Sequence, residues 1–136
     1  MPSSAASLLL LAPLALVKGA TLVVNVGQGG ADAFSPSSIT AAAGDQVEFH
    51  FVGGGHIVTQ GTFDNPCFAS GDNAWNSGYV AKAGVSMNQP YTRYSIADSR
   101  KGLPFTITVN STDPIYYFCP VSGHCQDGMA GAINAP

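Results

Sequence analysis

One loop does most to restrict how this chain can fold. Directly after the aromatic run Tyr116-Tyr117-Phe118, residues Cys119, His124 and Met129 set a thiol, an imidazole and a thioether in a single segment. Pro120, Gly123 and Gly128 lie between them; they disfavour a helix and let the backbone curl. A fourth donor, His56, stands far upstream behind Gly53-Gly54-Gly55. A fold that uses all four must bring two distant chain segments together.

The surrounding residues set the fold class. Gln46 to Val52 alternates, with Val47, Phe49 and Phe51 on one face and Glu48, His50 and Val52 on the other. Thr21 to Val26, Ile39 to Ala42, His56 to Gln60, Tyr91 to Ile96, Phe105 to Val109, Ile115 to Cys119 and Ala130 to Asn134 also read as strands. Turn residues at Gly44-Asp45 and from Asp98 to Gly102 separate neighbours, and Gly61 to Val80 is polar, Gly/Asn-rich and irregular, as a long loop would be. No segment sustains a helical period. Short strands with turn signals between them predict an all-β, Greek-key two-sheet β-sandwich. At 136 residues there is room for one such domain.

Met1 to Ser7 is an uncharged start, and Leu8 to Val17 is an apolar run broken only by Pro13. That run is too short to span a membrane and small residues follow it. Residues 1–19 therefore read as a secretory signal cut near 19/20, with residues 20–136 as the single mature domain and an extracellular location. Asn110-Ser111-Thr112 is an acceptor sequon, which makes Asn110 a candidate glycosylation site. A net charge of −3 and the lack of a basic stripe argue against nucleic acid as a partner. Neither a transmembrane span nor the hydrophobic tail of a GPI anchor is read in this sequence, and a monomer is expected. The cysteine count is odd, three in all: Cys67, Cys119 and Cys125. An oxidising compartment favours one disulfide, so the remaining thiol needs another use.

Metal ligation is such a use. Two His, one Cys and a weak axial Met make the ligand set of a mononuclear type 1 (blue) copper centre, whose soft donors suit both oxidation states. Zinc competes, with Cys119, Cys125, His56 and His124 as a Cys₂His₂ set; adjacent His124 and Cys125 would then both have to face one ion, which is awkward in an extended loop. Three histidines are too few for a trinuclear oxygen-reducing centre. With four ligands in place no position stays open for a substrate, so an enzyme is not expected. His50 reads as a partly buried polar strand residue, and Trp75 as core or lid rather than a sugar platform.

Three stretches resemble the cupredoxins, specifically plant phytocyanins and fungal extracellular cupredoxin-like proteins. They are Gly54-Gly55-His56-Ile57-Val58-Thr59-Gln60, Phe63-Asp64-Asn65-Pro66-Cys67, and the run from Cys119 to Met129. The similarity extends from Leu22 to Asn134. It implies that His56, Cys119, His124 and Met129 bind one copper ion and that Cys67 bonds Cys125. A secreted one-electron carrier with an unidentified redox partner is the implied function, with His124 as electron port and Pro120, Val121 and Gly54 as its rim. A cell-surface structural or interaction protein and a copper scavenger are the alternatives. Members of that family often carry a polar side chain beside the first His, which clips the two ligand segments together. Gly55 and Ile57 flank His56 here, so the clip must come from the backbone or elsewhere.

Overall fold

The computed structural model describes residues 18–81 and 104–136. Most of the expected leader and the expected strand Tyr91 to Ile96 lie outside the described residues. Among the described residues eight strands form two four-stranded sheets. The first runs β2 (Phe34–Ser35), β1 (Thr21–Val26), β4 (Gln46–Phe51), β6 (Phe105–Thr108), and the second β3 (Ser38–Ile39), β8 (Ala130–Ile133), β7 (Ile115–Phe118), β5 (Thr59–Gly61). Both sheets are mixed: β1 lies parallel to β4 and β3 parallel to β8, while the other pairs are antiparallel. Among the described residues the single helical element is the 3-10 turn Gln28–Gly30.

The alternation in β4 does what period-two patterning demands. Val47, Phe49 and Phe51 are buried, while Gln46 is exposed. Val24 and Val26 of β1 join them from the neighbouring strand, and Tyr117 and Ile133 face inward from the second sheet. The centre is aromatic. The rings of Phe34 and Phe49 each meet Tyr117 edge-on at a centroid distance of 5.0 Å, the geometry that ring quadrupoles favour. Half-buried Trp75, from the long loop, covers Phe49, Phe105 and Tyr117. It packs on the core as a lid, one of the two roles its sequence context suggests. Gly131 lies opposite Tyr117 on β8. A Cβ there would fall 2.4 Å from the phenol ring, so only glycine leaves the ring its place.

Two local differences from the sequence pattern share one cause, side-chain acceptors or a thiol taking backbone N–H groups. After Ile39 the expected strand stops, because Ala41 N–H donates to Asn134 Oδ1 and Ala42 N–H to Asp45 Oδ2. The segment expected to be a strand from His56 enters the ladder only at Thr59, since Ile57 N–H points to Cys119 Sγ and Val58 N–H to Ser77 Oγ. β2, two residues long, carries too little pattern to be read at all.

The topology gathers several chain segments at one end of the sandwich. Parallel pairing of β1 and β4 puts Val26 beside Phe51, and both Val52 N–H and Gly53 N–H donate to Val26 O. β7 runs straight into Cys119, and β8 starts just after Met129. Pairing of Thr59 with Phe118 then draws the segment carrying His56 alongside.

Candidate metal centre

The loop from Cys119 to Met129 joins two neighbouring antiparallel strands, so the ladder itself closes its neck. Phe118 pairs with Ala130, and Cys119 N–H donates to Met129 O at 3.0 Å. Within the loop, tight turns are made by His124 N–H to Val121 O, Asp127 N–H to Gly123 O and Met129 N–H to His124 O. Gly123 and Gly128 take positive φ, 87° and 103°, which other residues adopt at a cost. Cys125 is bonded to Cys67; this ties the loop to the long irregular segment and leaves Cys119 as the free, fully buried thiol. The disulfide also removes Cys125 from any zinc set.

His56 is held on the other side by main-chain bonds: Val80 N–H donates to His56 O at 2.9 Å, and Gly55 N–H to Val80 O at 2.6 Å. These bonds bring the imidazole to the loop. One donor atom from each of His56, Cys119 and His124 lies within 4.8 Å of the other two. Cys119 Sγ is 3.5 Å from His124 Nδ1 and accepts Ile57 N–H at 3.5 Å. The clip between the two ligand segments is thus a backbone amide. Met129 is fully buried beside them in sequence and joins the apolar core cluster.

Sequence reasoning missed a third wall, the turn from Gly27 to Ala33. Gly27 packs so closely on the His56 ring that a Cβ would lie 2.6 Å from Nε2 and Cδ2. Asp32 Oδ1 lies 3.6 Å from His124 Nε2. The glycine-rich turn gives no local hint of either contact, because both are set by the parallel pairing of β1 and β4. His50 takes no part: its Nε2 bonds Glu48 Oε2 at 2.8 Å on the outer face of β4. Asn110 is exposed ahead of β7.

The donors fit a soft metal ion. His56 is 2% exposed, and its Nδ1 is buried with no hydrogen-bond partner, a costly state unless something accepts from that lone pair. Burial holds the imidazole below its ordinary pKa, with nearby His124 acting in the same direction and Asp32 opposing, so the ring is kept in the neutral form that binds metals. Burial pushes the Cys119 thiol up; the amides of Ile57 and Val121 work against that shift and Asp32 adds to it. Cys119 would hold a soft cation as the thiolate, the form that a neighbouring positive charge would favour.

Fold and donors together define a class, the β-sandwich protein with a cluster of potential metal ligands among its strand ends. No family model matches the chain. It is 35% identical over 126 residues to a probable GPI-anchored cupredoxin-1 of Arthroderma benhamiae, covering 93% of this chain and 56% of that protein. It is also 39% identical over 117 residues to an extracellular serine-rich protein of the same organism, covering 85% of this chain and 40% of that protein. The chain thus spans about half the length of the curated relatives it matches. A reduced auracyanin from Roseiflexus castenholzii superposes with a TM-score of 0.56 at 16% identity, over 87% of this chain and 100% of that one. The chain is a cupredoxin in fold.

Proposed function

We propose that the chain binds one copper ion through His56, Cys119, His124 and Met129 and serves as a one-electron carrier outside the cell, not as an enzyme. The observation that carries this reading is the convergence of two imidazoles and a free buried thiol within 4.8 Å, with His56 Nδ1 left without a partner. Bound copper would supply a couple between its singly and doubly charged states. The protein's part is to hold the donors still and keep water out. The β7–β8 ladder fixes both ends of the loop, the Cys67–Cys125 bond fixes its middle, and Cys119 and His56 are shielded from solvent. The His124 side chain is 19% exposed where His56 is almost covered, so His124 is the natural route for an electron to and from a partner protein. Pro120 and Gly54 are exposed on the two ligand segments, while Val121 is half-buried against the core.

The names of the relatives, one GPI-anchored and one extracellular, support a place at the cell surface or in the medium. Among the described residues no helix is long and apolar enough to cross a membrane. Residues 1–19 as a leader, residues 20–136 as a monomeric domain and a glycan on Asn110 belong to the same proposal.

Adding Cu(II) to the purified protein tests it. The expected result is an intense visible thiolate-to-copper band that Cys119→Ser abolishes while leaving a folded protein. A colourless wild type with no bound metal overturns the reading in favour of a surface structural role, and weak, exchangeable Cu(I) binding does so in favour of scavenging.

A further inference from the structure

The His124 imidazole stands between two groups of opposite use. Nδ1 faces Cys119 Sγ at 3.5 Å, and Nε2 faces Asp32 Oδ1 at 3.6 Å. The turn that carries Asp32 is held in place rather than draped over the site. Gly27 N–H donates to Ala33 O, Gly30 N–H to Gly27 O and Ala33 N–H to Ala31 O, and Gly27 is wedged on the other imidazole. One turn therefore touches both histidines, with the absence of a side chain at Gly27 and a carboxylate at Asp32.

An imidazole that offers Nδ1 to a metal must keep its proton on Nε2, and a carboxylate facing that nitrogen fixes both tautomer and ring orientation. At 3.6 Å the separation is longer than a hydrogen bond, and the Asp32 side chain is 44% exposed. A fixed negative charge at this range also favours the more positive of two oxidation states. Among the described residues the one Lys or Arg is Lys18, which precedes β1 and so lies at the opposite end of that strand from Gly27.

We propose that Asp32 is a positioning residue for His124: its carboxylate holds Nε2–H so that Nδ1 faces the ion, and its charge lowers the reduction potential of the centre. The inference rests on the copper reading above. Three substitutions test it. Asp32→Asn removes the charge and keeps the shape, Asp32→Ala removes the acceptor, and Asp113→Asn removes an equal charge ahead of β7, at the end of that strand away from Cys119. In copper-loaded protein the potential shifts upward in Asp32→Asn, and by more than in Asp113→Asn. In metal-free protein, nitrogen NMR of His124 in mildly alkaline solution reads the Nε2–H tautomer in the wild type and a larger share of Nδ1–H in Asp32→Ala. A potential that moves no more in Asp32→Asn than in Asp113→Asn overturns the proposal, and so does a tautomer balance that Asp32→Ala leaves unchanged. The NMR measurement needs no metal, so a wild type that fails to take up copper would sink the copper reading while the ring nitrogens still decide the role of Asp32.

Discussion

Tyr117 and Cys119 sit almost side by side in the chain, yet one belongs to the aromatic centre of the sandwich and the other to the donor cluster at its end. Around Tyr117 the neighbours are the rings of Phe34, Phe49 and Trp75. What they ask of a residue is volume and shape, and similar shapes substitute for one another at modest cost. Around Cys119 the neighbours are single atoms, the amide of Ile57 and Nδ1 of His124. What they ask for is one element in one place. The centre supplies stability; the end holds a buried unpartnered nitrogen at His56 and a run of positive-φ glycines, features that weaken a fold. Damage to the first region should therefore appear as lost free energy with the site intact, and damage to the second as lost metal binding in a folded protein.

Phe49→Ala gives the largest stability effect. Opening a cavity among four aromatic partners costs about 3–5 kcal/mol, read by urea unfolding, while the folded fraction keeps its copper band. A folded variant without the band would break the division between the regions. Replacing both Cys67 and Cys125 by Ser comes next. The bond bridges a sequence separation of 58, and its loss costs about 2–5 kcal/mol. Because Cys125 follows His124 directly, this change should also weaken copper retention, and a competition titration with a chelator would show it.

Gly27→Ala and Gly29→Ala sharpen the contrast within one turn. Both glycines have positive φ, but a Cβ at Gly27 strikes the His56 ring whereas one at Gly29 meets nothing within 4 Å. The backbone penalty common to both is about 1–2 kcal/mol; Gly27→Ala adds steric strain of about 1 kcal/mol or more and lowers copper affinity, while Gly29→Ala leaves affinity alone. Equal affinities for the two variants would remove Gly27 from the wall of the site.

Tyr117→Phe is the smallest change. The Tyr117 hydroxyl is buried without a hydrogen-bond partner, so deleting it should alter stability by less than about 1 kcal/mol, in either direction. Burial raises the phenol pKa far above its ordinary value. The native state thus favours the protonated form, and that contribution is complete below the unfolded pKa of about 10 and fades as pH climbs beyond it. Melting curves across the alkaline range should show the wild type losing ground to the Phe variant above that point, with a constant gap below it.

Much of the sandwich was legible because alternation in β4 and the β-branched run of β1 encode burial directly. The donor set was legible because Cys, His and Met are scarce residue types whose grouping is hard to explain otherwise. What escaped was relational. The parallel pairing of β1 with β4 leaves no mark on either strand's own pattern, and Gly27 and Asp32 acquire their contacts through it. The ends of β3 and β5 escaped for a different reason: the acceptors that divert their backbones, Asn134 Oδ1, Ser77 Oγ and Cys119 Sγ, come from residues far away in the chain.

The amide that clips Ile57 to the Cys119 sulfur has a bearing on how such a site drifts over generations. A clamp made by a side chain is lost whenever its codon changes, whereas every residue but proline carries this one. Position 57 is therefore at liberty to vary in polarity and size as its surface demands, and the grip on the thiol is inherited with the path of the main chain.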